Sequence, residues 1–206
     1  RGCPRDCQVS MFSATLPQQA LDISSKVMNN PIRITCKTQD LTLEGIQQFY
    51  VDVGTDDNKL SCVIDLFDTL NTAQTVIFAN TKSRVDKLTH ALQQEGMPCA
   101  AIHGDMDGQE RTQKMVDFKA GKNRVLVATS LLARGVDVQQ VSMVLLFDLP
   151  RDRETYLHAV GRSGRFGRKG VSVILATLQD IPNIQHVEQF YNTQIPPMPS
   201  DVDKLF

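Results

Sequence analysis

The sequence predicts a three-layer α/β/α fold, a parallel sheet sandwiched by helices, and three observations predict it. Short runs such as Thr75–Ala79 (TVIFA), Val125–Ala128 and Val171–Ala176 are apolar on both faces, as strands covered on both sides must be. The segments between such runs carry apolar residues at helical spacing. Finally, 206 residues, 41% hydrophobic and 22% charged, have the size and composition of a folded domain with its own core.

Taken in order, Gln8–Phe12 predicts a strand. Pro17 then opens a helix carrying Ala20, Leu21, Ile23 and Val27 that ends near Asn29–Pro31. Ile32–Cys36 predicts a second short strand, and the polar, aperiodic Lys37–Gly45 (KTQDLTLEG) predicts a linker. Beyond it Ile46–Val53 predicts a strand, and Leu60, Val63, Ile64, Phe67 and Leu70 share one helix face. Thr75–Ala79 follows as a buried strand, then a helix through Val85, Leu88 and Leu92 that Gly96 closes. Cys99–Ile102, Val125–Ala128, Met143–Phe147 and Val171–Ala176 predict the remaining strands. Glu110–Phe118, Thr155–Val160 and Ile184–Tyr191 predict helices, and Pro196, Pro197 and Pro199 make the tail a turn or arm.

Composition excludes several classes. Lys and Arg total 22 against 23 Asp and Glu, a net charge of −1, so any anion or nucleic-acid site must come from local clustering. The five cysteines, Cys3, Cys7, Cys36, Cys62 and Cys99, contain no CxxC pair, and His90, His103, His158 and His186 are spread out. That pattern favours inert thiols in a reducing compartment over a zinc site or a disulfide framework. No apolar run reaches the length of a membrane span, and no signal-peptide pattern opens the chain. The first residue is Arg1, and the expectation is a piece of a longer protein.

Ligands of parallel sheets sit beyond the carboxyl ends of the strands, so four strand-end loops draw attention. In Asn80–Arg84 (NTKSR), a hydroxyl, an ammonium and a guanidinium meet a helix start, which suits a phosphate; Thr81 or Ser83 could equally be a plain N-cap. In Ile102–Asp105, Gly104 allows close backbone approach or a positive φ. Asp105 is a candidate cap there, and His103 is by itself a structural hydrogen-bonder more often than a catalyst. Thr129 and Ser130, followed by Ala133–Asp137 (ARGVD), suit the edge of a nucleotide site, or else Arg134 and Asp137 form a surface pair of little energetic weight. Finally, His158–Gly170 (HAVGRSGRFGRKG) holds Arg162, Arg165, Arg168 and Lys169 and no acid. Two arginines three apart among glycines suit the presentation of guanidinium groups to a triphosphate, against the alternative of a generic basic loop. No Gly-x-x-x-x-Gly-Lys-Ser/Thr phosphate loop occurs, and no acidic pair follows a strand as a magnesium site would require.

In their order, Ser13–Ala14–Thr15, VIFANT, IHGD, ARGVD and HAVGRSGRFGRKG resemble motifs III to VI of the DEAD-box RNA helicases. DLTLEGIQQFYVDV, RVLVATSLLARGVDVQQVS and FYNTQIPPMPSDVDKLF look most like the branch of translation initiation factor 4A and its exon-junction relative. The resemblance implies RecA-like architecture: residues 1–37 as the end of a first, ATP-binding domain, 38–45 as linker, and 46–206 as the second domain. It implies that Arg162 and Arg165 reach ATP as arginine fingers, and that His158 links their motif to the first domain. Asp137, beside Gly135, would contact the ATP ribose. Thr81, Arg84, Gly104 and Thr129 would lie along the RNA backbone, and Ser13, Ala14, Thr15 and Arg134 would couple the domains.

The implied ligands are ATP, with Mg²⁺ held by the absent N-terminal domain, and single-stranded or short duplex RNA, gripped by phosphate and sugar. The implied partners are the N-terminal domain in cis and protein regulators, either a scaffold of the initiation-factor-4G type or exon-junction proteins, with no membrane. The implied location is intracellular, cytoplasmic ahead of nuclear. Three positions depart from the family pattern: Gly108 replaces the glutamine of Gln-x-x-Arg, Ser130 an aspartate, and Ala159 an arginine. The first and third motivate an alternative, an ATP-locked RNA clamp of the exon-junction type. A Rossmann-like dinucleotide domain is disfavoured, because no Gly-x-Gly-x-x-Gly follows the first strand.

Overall fold

The computed structural model describes residues 4, 7–13, 18–34, 45–69, 74–130, 132, 141–163 and 170–199. The chain divides into two compact units, Arg1–Leu41 and Thr42–Phe206.

The first unit contains helix α1, Gln18–Val27, where the sequence predicts it. The two strands predicted beside it are not formed: residues 7–13 and 31–34 are irregular, and 35–36 lie outside the described residues. A strand needs a neighbour for its backbone groups, and among the described residues of this unit there is none. The apolar side chains that suggested strands stand in the open, with Phe12 94% and Ile32 92% exposed.

The second unit is the predicted α/β/α sandwich. Its elements run β1 (Ile46–Gly54), α2 (Lys59–Thr69), β2 (Thr75–Ala79), α3 (Lys82–Gln94), β3 (Cys99–Ile102), α4 (Gly108–Lys119), β4 (Val125–Thr129), β5 (Met143–Leu146), α5 (Arg153–Val160), β6 (Gly170–Thr177) and α6 (Ile181–Tyr191). The six strands form one sheet in the order β1-β6-β5-β2-β4-β3, and every pairing is parallel. Chain connections move one way across the sheet through α2 and α3 and the other way through α4 and α5. Right-handed crossovers therefore place these helix pairs on opposite faces. Val63 and Leu66 of α2 and Val85, Leu88 and Leu92 of α3 pack with Ile77, Val127, Leu145 and Val173 in one cluster. The alternate strand residues Val76, Phe78, Leu126 and Val144 are equally buried and face the other layer.

Local chemistry sets the helix ends. Asp107 accepts the Glu110 N–H at 2.7 Å and starts α4, and Asp152 does the same for Thr155 at 2.7 Å in α5. Gly96, at φ +78°, ends α3 as the sequence predicts. The proline-rich tail lies along the outer edge of β1. The Tyr50 N–H donates to the Pro196 carbonyl at 3.0 Å, and the Met198 N–H to the Tyr50 carbonyl at 2.8 Å. This occupies hydrogen-bonding groups on a strand edge that could otherwise template aggregation. A buried hydrogen bond from Tyr156 Oη–H to Gln48 at 2.6 Å and a half-buried one from Gln48 to Thr193 at 2.9 Å join α5, β1 and the tail.

Ile77 is fully buried in the middle of the sheet. Ile77→Ala should lower unfolding free energy by about 2–5 kcal/mol in urea titrations, through lost transfer energy plus a cavity. A loss under 1 kcal/mol would show that this strand does not lie in a packed core.

Candidate nucleic-acid interface

All six strands end on the same side, so their exits build one edge. Register pairs Ala79 with Thr129 and Ile102 with Ala128. Thr81, Thr129 and Gly104 therefore lie in a row across the ends of β2, β4 and β3. Thr81 caps α3: its hydroxyl accepts the Arg84 N–H at 3.3 Å, while the residue stays exposed. Gly104 is exposed with open space where a Cβ would be, which keeps close approach available; its φ is not in the positive range. Thr129 is buried at the strand end.

Other expectations change here. Asp105 does not cap α4, which Asp107 does; it forms an ion pair with Lys82 instead. His103 is 8% exposed, its Nε2 lies 3.0 Å from Asp86 Oδ1, and its buried Nδ1 has no partner among the described residues. That is the structural hydrogen-bonder the sequence allowed for.

Arg84 is placed at the edge but is already engaged. Its Nη1 and Nη2 grip Asp56 at 2.8 and 2.9 Å, and Nη2 also reaches Asp148 Oδ1 at 2.8 Å. The guanidinium stacks 5.0 Å from the Phe147 ring centroid. Lys59, with a side chain only 4% exposed, sits 3.2 Å from Asp56 and 3.4 Å from Asp148. Asp148 carries more: its Oδ2 accepts the Asn80 backbone N–H at 2.9 Å, and the Asn80 side chain donates to the Leu149 carbonyl at 2.8 Å. These groups line an open cleft of about 580 Å³ together with Gly54, Thr55, Thr177 and Asp180. The cleft lies outside β2 and β5, where the chain reverses its direction across the sheet, the usual position for ligands in open α/β sheets.

Asp148, Asp56 and Lys59 are the site residues that sequence reasoning missed. A carboxylate immediately after a wholly apolar strand (VLLFD) was an available signal for Asp148. Lys59 had none, because a lysine in a helix pattern reads as solvated.

The start of the basic stretch, His158–Ser163, lies at the opposite edge, a correction to its reading as a strand-end loop, and residues 164–169 lie outside the described residues. The stretch leaves the end of α5, and Ser163 bridges Val141, ahead of β5, before the chain enters β6 at Gly170. His158 lies in the last turn of α5, and Arg162 Nε donates to the His158 carbonyl at 3.2 Å. A Cβ at Gly161 would come within 3.0 Å of the Leu157 carbonyl oxygen, so this helix end is tightly closed. Ser13 is exposed in the first unit. Ala14, Thr15, Arg134, Gly135, Asp137 and Arg165 lie outside the described residues.

Two of the three departures have a visible consequence. The Ser130 hydroxyl lies 3.2 Å from the Ala79 carbonyl and 3.0 Å from Asn80 Oδ1, contacts with two acceptors that an ionised aspartate could not make. Ala159 is fully buried in α5. Gly108 faces open space, so a glutamine would fit and the glycine only removes a side chain.

The charge cluster shifts two groups. The Arg84 guanidinium, then Lys59, hold the Asp56 carboxyl at about 2, against the usual 3.8, and Asp56 raises Arg84 in return. Because Asp56 titrates lower folded than unfolded, its pairing adds stability above pH 3.8 that is lost as pH falls toward 2.

Fold and edge define an α/β domain of the helicase type, and residues 58–167 match the helicase conserved C-terminal domain. The chain belongs to that family. It is 49% identical over 203 residues to the ATP-dependent RNA helicase eIF4A of Scheffersomyces stipitis, covering 98% of this chain and 51% of that protein. It is 47% identical over 205 residues to eukaryotic initiation factor 4A of Caenorhabditis elegans, covering all of this chain and 51% of that one. The chain thus spans about half the length of these curated relatives. The structure of Saccharomyces cerevisiae Dbp5 bound to RNA and ADP BeF3 superposes with a TM-score of 0.88 at 32% identity, covering 98% of this chain and 54% of that one. The isolated C-terminal domain of the DEAD-box protein Dbp5 gives a TM-score of 0.71 at 33% identity, covering 78% of this chain and 93% of that one.

Asp148 and Asp56 should differ sharply in stability. Asp148→Ala leaves buried Lys59 without its buried counter-charge and should cost about 3 kcal/mol or more. Asp56→Asn, at a half-exposed pair, should cost at most about 1 kcal/mol at pH 7, a cost that shrinks as pH falls toward 2. Denaturant titrations at both pH values check this, and equal costs would contradict it.

Proposed function

We propose that this chain is the carboxyl-terminal half of an ATP-dependent RNA helicase, with residues 1–37 ending a preceding ATP-binding domain, 38–45 linking, and 46–206 forming the second domain. The reading rests chiefly on one observation: the candidate groups divide between the two edges of one sheet. Thr81, Gly104 and Thr129 line the carboxyl edge, and His158 and Arg162 close α5 at the other. A rigid sheet carrying both sets couples them, so that docking on the preceding domain engages RNA and nucleotide together. The Dbp5 neighbour holding RNA and ADP BeF3 supports the same pairing of ligands.

In this mechanism the carboxyl edge takes RNA by its backbone. The Thr81 hydroxyl and the open face at Gly104 meet phosphates and sugars, so binding is sequence-tolerant and salt-dependent. Bound ATP supplies the phosphoanhydride to be cleaved, with Mg²⁺ held by the preceding domain. Arg162, fixed at the helix end by the His158 carbonyl, fits an anion better than a metal. Together with Arg165 it would neutralise charge developing on the terminal phosphate, worth about 10³–10⁵ in rate in related phosphoryl-transfer enzymes, or roughly 4–7 kcal/mol of barrier. Asp137 and Gly135 would meet the ribose, and Ser13, Ala14, Thr15 and Arg134 would relay closure. We assign it to the cell interior, in the cytoplasm ahead of the nucleus, with a scaffold of the initiation-factor-4G type or exon-junction proteins as regulators.

The test joins this chain to a phosphate-loop domain and measures RNA-stimulated ATP hydrolysis. Stimulation should fall by about 10³ in Arg165→Ala, and the 206-residue chain alone should hydrolyse nothing. Unchanged hydrolysis in Arg165→Ala would refute the finger assignment. No turnover with tight ATP-dependent RNA binding would replace the unwinder by the ATP-locked clamp.

A further inference from the structure

We propose that Asp56 is an internal competitor for the phosphate position at Arg84, a carboxylate that occupies the RNA site in the free protein and must leave when RNA binds. The proposal rests on the reading above that Arg84 lies along the RNA backbone.

Arg84 presents a planar fork suited to two oxygens of one anion. Asp56 fills that fork in bidentate fashion, at 2.8 and 2.9 Å. A phosphate offers the same two-oxygen geometry, so the two anions compete for one position. Arg84 Nε is buried and has no partner among the described residues, a donor that the present arrangement leaves unsatisfied.

The two carboxylates around Arg84 are not equivalent. Asp148 has a side chain 11% exposed and is tied to the Asn80 backbone N–H and to Lys59. It cannot leave without stranding a buried lysine. Asp56 is 53% exposed and stands on a short 3-10 turn, Asp56–Asn58, between β1 and α2. Swinging Asp56 into water leaves Lys59 with Asp148 and opens Arg84 on its solvent side. Thr81, the exposed N-cap three residues before Arg84, stands at the start of the same helix. Asp148 remains, so Arg84 stays oriented over Phe147 rather than collapsing onto the surface.

The consequence is a threshold. A weak or single anion has to displace a bidentate carboxylate, whereas a polyanionic strand anchored at Gly104 and Thr129 brings its phosphate at high local concentration. Asp56 thereby selects extended backbones over isolated phosphates.

The experiment measures binding of the 206-residue chain to a fluorescent single-stranded oligouridylate by anisotropy at low salt. Asp56→Asn should tighten binding by about three- to tenfold, the range an exposed ion pair and the removed repulsion can supply. Asp57→Asn changes the net charge equally on the same turn and should alter binding by less than about twofold. In an Arg84→Ala background the Asp56→Asn gain should vanish. Equal gains from Asp56→Asn and Asp57→Asn, no gain from Asp56→Asn, or a gain that survives Arg84→Ala would each overturn the competitor role. Arg84→Ala alone separates the two claims. If it leaves RNA affinity unchanged, or neither the wild type nor any variant binds, the RNA reading of Arg84 fails. If it weakens binding while Asp56→Asn does nothing, that reading stands and the competitor falls.

Discussion

Asp148 is the constraint on which the carboxyl edge depends. A carboxylate at the end of a wholly buried strand is costly unless every oxygen is used. Here one oxygen takes the Asn80 backbone N–H and the other serves Lys59 and Arg84. Those contacts fix the first turn after β2, and with it the orientation of Thr81 and α3. The same carboxylate holds Arg84 over Phe147, whose ring belongs to the core. Core packing, helix start and charged surface are thus joined at one residue. Replacing such an ion pair by apolar side chains is often neutral for stability; the role of Asp148 is to set positions more than to add free energy.

The parallel sheet gives that positioning its reach. Six strands in parallel register end together, so residues distant in sequence meet at one edge without any loop having to be long. The returning helices carry the chain to the other edge, where α5 delivers His158 and Arg162. Candidate groups on opposite edges of one stiff layer move as a unit. This suits the coupling of two binding events proposed above, and it lets a chain with a net charge of −1 carry basic groups at particular edges.

Much of this was legible in the sequence. Apolar runs such as TVIFA and VLVAT are buried on both faces only in a covered parallel sheet, and the second unit followed them closely. Gly96 and the turn before Lys82 read correctly because their chemistry is local. The strands expected at Gln8–Phe12 and Ile32–Cys36 failed because a strand is a property of a pair, and no partner for either exists among the described residues. The assignment of α4's cap to Asp105 failed by two residues, since any acid near a helix start looks alike until the dihedral angles are known. The candidate RNA positions Thr81, Gly104 and Thr129 were visible as strand ends. The engagement of Arg84 by Asp56 and Asp148, 28 and 64 residues away in sequence, was not, because long-range ion pairing leaves no periodicity. The basic stretch was visible by composition, but the edge that its described start, His158–Ser163, occupies was not, because that depends on where α5 ends.

The most direct measurement compares the double variant Lys59→Met/Asp148→Leu with the wild type, which have the same net charge. Denaturant unfolding gives stability, and RNA anisotropy gives affinity. If Asp148 positions the edge, the double variant should fold with stability within about 1–2 kcal/mol of wild type, yet bind single-stranded RNA about tenfold more weakly, because Arg84 and Asn80 have lost their anchor. Wild-type affinity in the stably folded double variant would contradict that role and leave the buried carboxylate a purely structural charge.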